Sequence, residues 1–307
     1  PDRGHGTPLP AAGAVRAGAA ALVLVCAFAA MSGRASAGTD PHPLVVARAA
    51  DVVSMDPAAT TRMNDFLPIA LAYERLVEPV VARGRPTGEL RGALARSWRR
   101  SDDGRTWTFE IQAGHRFNDG SAVDATAVKA SFDRLRAVGR GPAQILDMLK
   151  EVEARGGSTV VFHLDRPFPL FAQMLALPMF SIVNPKVVAH AVGGDAGSAW
   201  LSRTSAGSGP YRVVEWRRGQ WVRLAANPAS SARRAYFDGV RIEAIRDDLS
   251  RVAQLRRGGV DIMTGVAAEL APHLAASPHI RILAGPSATL TYLEMNNRRR
   301  PLDDARV

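Results

Sequence analysis

Seven histidines, twenty-nine acidic residues and a single cysteine are the groups in this 307-residue chain that could carry metal, acid–base or thiol chemistry. Their spacing offers little of it. No histidine forms an H-x-x-x-H pair and none closes an E-x-x-H interval, the spacings that put two ligands on one helix face. His273 and His279 lie beside Pro272 and Pro278 and read as surface residues, not a metal site. Ser208 sits in "AGSGP", which lacks the G-x-S-x-G elbow that exposes a nucleophile. No Gly-Lys-Ser/Thr follows Gly207-Ser208-Gly209, so this is not a phosphate loop. Asp102/Asp103 and Asp247/Asp248 are adjacent pairs at a turn and a helix start, which suits caps better than a general acid and base. No catalytic residue, metal ligand or cofactor is assigned, and the chain does not read as an enzyme.

What such a chain can do must then come from its elements. Leu44–Ala47 is a short apolar run bounded by turn residues, expected as a buried strand. Asp51–Thr60 follows as a loop in which Pro57 keeps Asp56 out of helix. Phe66, Ile69, Ala70, Tyr73, Leu76 and Val77 recur at helical spacing and predict a helix over Phe66–Val77. Trp107, Phe109 and Ile111 alternate with polar residues, as do Val160, Phe162 and Leu164, and both runs read as half-buried strands. Asp124 can cap a helix whose Val128, Phe132 and Leu135 share one face. Tyr211–Trp216 and Trp221–Ala225 form a hairpin around "RRGQ"; Gly207 and Gly209 are expected to supply backbone freedom ahead of it. Val240–Ala244 is a further strand, and a helix over Leu249–Arg257 stops at Gly258-Gly259. His279–Leu283 and Thr289–Met295 read as later strands. Strands alternating with helices argue a mixed α/β architecture.

Composition narrows the classes further. Apolar residues make up 47%, enough for a sizeable core. The net charge of +10 is almost all arginine, because the only lysines are Lys129, Lys150 and Lys186. These arginines are scattered among acids and turns without an aromatic-interleaved patch, so no nucleic-acid partner is expected. Residues 1–37 read as a secretory signal peptide: Arg16 closes a basic start, Ala19–Met31 is apolar, and Ala35-Ser36-Ala37 is an A-x-A cleavage site. Cys26 would be the lipidated residue of a lipoprotein, but Val25 before it is too large. Cleavage is expected after Ala37, so N-terminal sequencing of the exported form should read Gly38-Thr39-Asp40. A start at modified Cys26 would overturn soluble export.

Seven segments in order carry a family resemblance: the leader; "LVVARAADVVSMDPA"; "YERLVE"; "LARSWRRSDDGRTWTFEIQAGHRFNDGSAVDATAVKASFDRL"; "GSGPYRVVEWRRGQWVRLAANP"; "DDLSRVAQLRRGGVDIM"; and "TYLEMNNRRRPLDDARV". Each is modest alone, but the order and spacing over Pro43–Val307 resemble the extracytoplasmic solute-binding proteins of peptide/nickel-type ABC importers, bacterial family 5. Two departures are small: Ser208 replaces the usual threonine between the glycines, and a frequent Asn-x-x-Tyr-Trp is loosened to "NPASSARRAYFDG". The resemblance implies a class II periplasmic-binding-protein-like fold of two lobes. Residues 38–60 and 185–262 would form the first lobe and 61–184 an inserted subdomain. Residues 263–307 would begin a second lobe, truncated here, with another lobe's worth of chain expected to follow.

The function implied is capture of a peptide or other small solute in the periplasm by a monomer that delivers it to an ABC permease of the inner membrane. Di- or oligopeptides, nickel chelates, opines, haem and sugars all suit such a scaffold. A secreted hydrolase, or a binding protein feeding a sensor receptor, are the alternatives. The candidate solute contacts are Asp51, Val52 and Val53 in the loop after the first strand, then Ser208, Gly209 and Asn296.

Overall fold

The computed structural model describes residues 43–82, 84–230, 235–285, 296, 298–301 and 304. The leader residues and Thr289–Met295 lie outside them. Two larger sheets, a two-stranded one and two hydrophobic cores organise the described chain. The first sheet has the order β11-β1-β10-β9-β8, with β1 Leu44–Arg48, β8 Tyr211–Arg217, β9 Trp221–Ala226, β10 Gly239–Ala244 and β11 Ile262–Met263. β1 runs parallel to both β10 and β11, while β8, β9 and β10 form an antiparallel meander. The second sheet has the order β4-β5-β7-β6 and is antiparallel throughout: β4 Ala95–Arg100, β5 Thr106–Ile111, β6 Leu149–Arg155 and β7 Thr159–Leu164. A ribbon of β2 Val77–Ala82 and β3 Arg85–Gly92 stands beside it.

Helix α1, Met63–Ala72, feeds both cores: Phe66 packs with the second sheet, and Leu67, Ile69 and Leu71 with the first. It starts and ends earlier than the spacing predicts. Tyr73 leaves the helix in extended conformation (φ −128°, ψ 153°), because its buried ring stays with the first core while Leu76 must reach the second. The return crossing is equally abrupt: Ile182 belongs to the second core and Val183 to the first. The two crossings touch, with Ile182 N donating to Glu74 O at 2.8 Å.

Helix α2, Ala125–Val138, covers the second sheet and is capped as expected, Asp124 accepting from Ala127 N at 2.8 Å. Its Phe132 meets Phe162 edge-on at 4.9 Å between centroids, and Phe162 in turn meets Phe109 and Phe171. Short helices α3 Pro142–Ile145, α4 Phe171–Leu175 and α5 Ser198–Leu201 fill the connections; α6 Asp248–Arg256 links β10 to β11, and α7 Ala271–Ala275 follows. His279–Leu283 is not a strand: its residues run as turn and coil, with no partner strand among the described residues.

The glycines before β8 are there for a different reason than conformational freedom. Neither Gly207 nor Gly209 has positive φ. Instead a Cβ on Gly207 would lie 2.1 Å from Ala72 O, and one on Gly209 would lie 2.6 Å from both Leu71 O and Ala72 C. The loop passes hard against the end of α1, and Gly209 N donates to Ala72 O there.

Candidate functional site

Three parallel strands end at one edge of the first sheet: Arg48 pairs with Ala244, and Ala47 with Met263. The crevice outside the carboxyl ends of parallel strands is where open α/β sheets bind ligands, because loops converge there on a rigid base. Four segments gather at this edge. They are the loop 49–53, the first turn of α1, the β8–β9 turn, and the turn between β10 and α6.

Arg48, the last residue of β1 and only 5% exposed, fixes the first turn of α1. Its Nη1 donates to Asn64 O at 2.7 Å, and its Nη2 to Asn64 Oδ1 at 3.0 Å and Met63 O at 3.3 Å. The local sequence explains why. Pro68 lies inside α1 and has no N–H for the carbonyl four residues back, which is Asn64 O. The guanidinium fills that vacancy. Burial draws the Arg48 pKa down, and nearby Asp65 opposes the shift.

Two carboxylates then hold the loop. Asp65, fully buried, accepts from Val53 N at 2.7 Å and from Thr60 Oγ1 at 2.5 Å. Asp51 accepts from Val52 N at 2.7 Å and Gly219 N at 2.6 Å, and both its oxygens lie 3.3 Å from Trp216 Nε1. Asp51 thus ties the loop to the β8–β9 turn. Val52 points inward, whereas Val53 is 49% and Met63 45% exposed at the rim.

On the far side of β10, Arg251 is 1% exposed and donates to Ile245 O at 2.8 Å, Arg246 O at 3.0 Å and Asp248 Oδ1 at 2.6 Å. It braces the β10–α6 turn from beneath. Asp247 caps α6, accepting from Ser250 N, which is the capping task expected of that acidic pair. No group of three or more His, Cys, Asp or Glu residues is placed to hold a metal among the described residues.

The sequence-predicted residues therefore separate. Asp51, Val52 and Val53 come together at the strand ends. Ser208 is fully buried, and Gly209 has both backbone groups engaged, by Ala72 O and by Asn227 Nδ2 at 2.9 Å. Their loop is internal: Gly207 O accepts from Asn118 N at 2.8 Å, and Ser205 O from Asn118 Nδ2 at 2.9 Å. The Asn118-Asp119-Gly120 turn is thus a clasp between the two cores. Asn296 is exposed and closes a local turn with Arg298 N and Arg299 N; among the described residues no hydrogen bond joins it to the loop after β1. Sequence reasoning missed Arg48, Met63, Asp65 and Trp216. A proline inside a helix with a strand-terminal arginine upstream was the available signal for the first.

A family model described as the middle part of bacterial extracellular solute-binding proteins, family 5, matches residues 89–307. The chain belongs to this family. As a family 5 solute-binding protein it is 35% identical over 271 residues to the probable D,D-dipeptide-binding periplasmic protein DdpA of Escherichia coli K12. That alignment covers 88% of this chain and 52% of DdpA. It is 28% identical over 300 residues to the glutathione-binding protein GsiB of the same strain, covering 94% of this chain and 53% of GsiB. The family 5 chain thus spans about half the length of the curated relatives it matches.

Its fold is that of the periplasmic binding proteins. DppA of Helicobacter pylori, solved with the peptide STSA, superposes with a TM-score of 0.68 at 26% identity, over 77% of this chain and 49% of that one. MoaA of A. tumefacien R10, solved with mannopinic acid, gives 0.76 at 24% identity, over 86% and 53%.

Proposed function

We propose that this chain is part of the solute-capturing component of an ABC importer, binding a peptide-like or related small solute in the periplasm and delivering it to an inner-membrane permease. The observation that carries the reading is the rim at the carboxyl ends of β1, β10 and β11. Its loops are braced from beneath by buried Arg48, Asp65 and Arg251, and it presents Val53 and Met63 to solvent. Pre-organised loops reduce the ordering cost of binding. Such bracing suits capture.

Peptides and peptide-like molecules are what DdpA, GsiB and the H. pylori protein are named for or solved with. The Val53 and Val52 N–H groups are already engaged, so this loop would meet a solute through side chains and carbonyl oxygens, not as a strand-addition donor. Of the candidate contacts we retain Val53; Asp51 and Val52 position it, and Ser208 and Gly209 support the crossing. We place the ends of the inserted subdomain where the chain changes core, at residues 73–76 and 182–183, with the first-lobe sheet on either side.

The test is mass spectrometry of small molecules released on denaturing the intact exported protein. A stoichiometric peptide-like solute is the expected result. Release of no solute, together with hydrolysis of chromogenic esters or peptides, would overturn the reading in favour of an enzyme.

A further inference from the structure

The β8–β9 turn carries a cation whose environment differs from that of its neighbours. Arg217 and Arg223 both pair with Glu215, at 3.1 and 3.2 Å, and Arg241 pairs with Glu243 at 2.9 Å. Arg218 has no acidic partner among the described residues. It is exposed, and its guanidinium carbon stands 4.4 Å from the centroid of the Trp216 ring.

That ring is itself fixed. Trp216 Nε1 lies 3.3 Å from both oxygens of Asp51, and the same carboxylate holds Gly219 N, the residue after Arg218, at 2.6 Å. An indole N–H lies in the ring plane, so Asp51 holds the edge of the indole while Arg218 covers a face. The carboxylate is engaged by three donors, those two and Val52 N. An exposed guanidinium over an aromatic ring with no acidic partner has N–H groups left to meet the two oxygens of a carboxylate. The turn stands at the carboxyl ends of the parallel strands, since Ala244 N donates to Gln220 O at 2.8 Å.

We propose that Arg218 is a specificity-determining residue of the solute site: held over the Trp216 ring at the rim, it takes a carboxylate of the solute. The proposal rests on the reading of this crevice as a peptide-type solute site. It assigns to Arg218 a selectivity that Val53 and Met63, being apolar, cannot supply.

The intact exported protein, stripped of solute by reversible denaturation, is offered a mixture of dipeptides. In parallel it is offered the same dipeptides amidated at the carboxyl terminus. Retained molecules are identified by mass spectrometry. The wild type is expected to retain free acids over amides. Arg218→Gln is expected to weaken retention of the free acids by about tenfold, the scale of one charge-assisted contact, and to abolish the preference. Because Arg218 is exposed, the solute-free variant should melt with the wild type. A wild type that retains amides as well as acids, or an Arg218→Gln variant with its preference intact, overturns the proposal while leaving the solute-site reading standing. A correctly melting wild type that retains neither set overturns the peptide-type reading, and this proposal with it.

Discussion

Replacing Arg134 by methionine is expected to cost about 3–5 kcal/mol, because it leaves a buried carboxylate without its counter-charge. Asp56 is fully buried and Arg134 is 5% exposed. The two form a bidentate pair, Nη1 to Oδ1 at 2.9 Å and Nη2 to Oδ2 at 2.7 Å. Ser198 Oγ and Ala58 N complete the carboxylate's shell at 2.7 and 3.0 Å. Arg134 Nε also donates to Ala196 O at 2.8 Å, steadying a residue at φ +52° that a side chain seldom adopts. The loop after β1, helix α2 and helix α5 therefore meet at one ion pair. Urea unfolding of the Arg134→Met variant should show a midpoint well below wild type. Adding Asp56→Asn should recover part of the loss, since it removes the stranded charge. Strict additivity of the two changes would show that the pair is not the source of the effect.

A single methyl group at Gly207 is expected to do comparable damage, about 3 kcal/mol, at the upper end of ordinary overpacking. The obstacle is backbone: the added Cβ would meet Ala72 O at 2.1 Å and the Tyr73 ring at 2.6 Å. Neither can swing aside, because Ala72 O is bonded to Gly209 N and the Tyr73 hydroxyl to Ala206 N at 3.2 Å. The chain would have to lift off the end of α1 and give up those bonds. Gly219→Ala is the control. Gly219 has φ +74° with open space around its Cβ position, so only the left-handed conformation is penalised, at about 1 kcal/mol. Thermal melts of the two variants should differ clearly; equal melts would mean that contact at Gly207 is not what requires glycine there.

Much of the scaffold was legible because the signals were local. Period-2 alternation located β5, β7 and β10, and Asp124 marked the start of α2 through a bond only three residues long. The ribbon of β2 and β3 gave no such signal, since most of β3 is exposed and Pro79 sits within β2. The end of α1 was misjudged because Tyr73, Leu76 and Val77 keep helical spacing while serving two different cores. Of the candidate site, the loop 49–53 could be located from a strand followed by turn residues. What holds it could not. Asp51 meets Trp216 across 165 positions, and Asp56 meets Arg134 across 78. Amphipathic spacing says which face of an element is buried, not which distant charge waits there. Gly207 shows the same limit: the residue type was informative, but close approach and conformational freedom leave one signature in a sequence.

The contact between the two core crossings has a consequence for how such a chain can change over generations. With Ile182 N bonded to Glu74 O, the whole β2–β7 segment leaves and rejoins the first sheet through one doorway. A segment whose two ends already touch can be lengthened, exchanged or deleted without re-threading the remainder, because a short bridge spans the gap. The lock on that doorway is Asp56, whose partner Arg134 would leave with the segment. Neutralising Asp56 is therefore one change that an excision would require, alongside covering Phe66, which packs in the core that would leave.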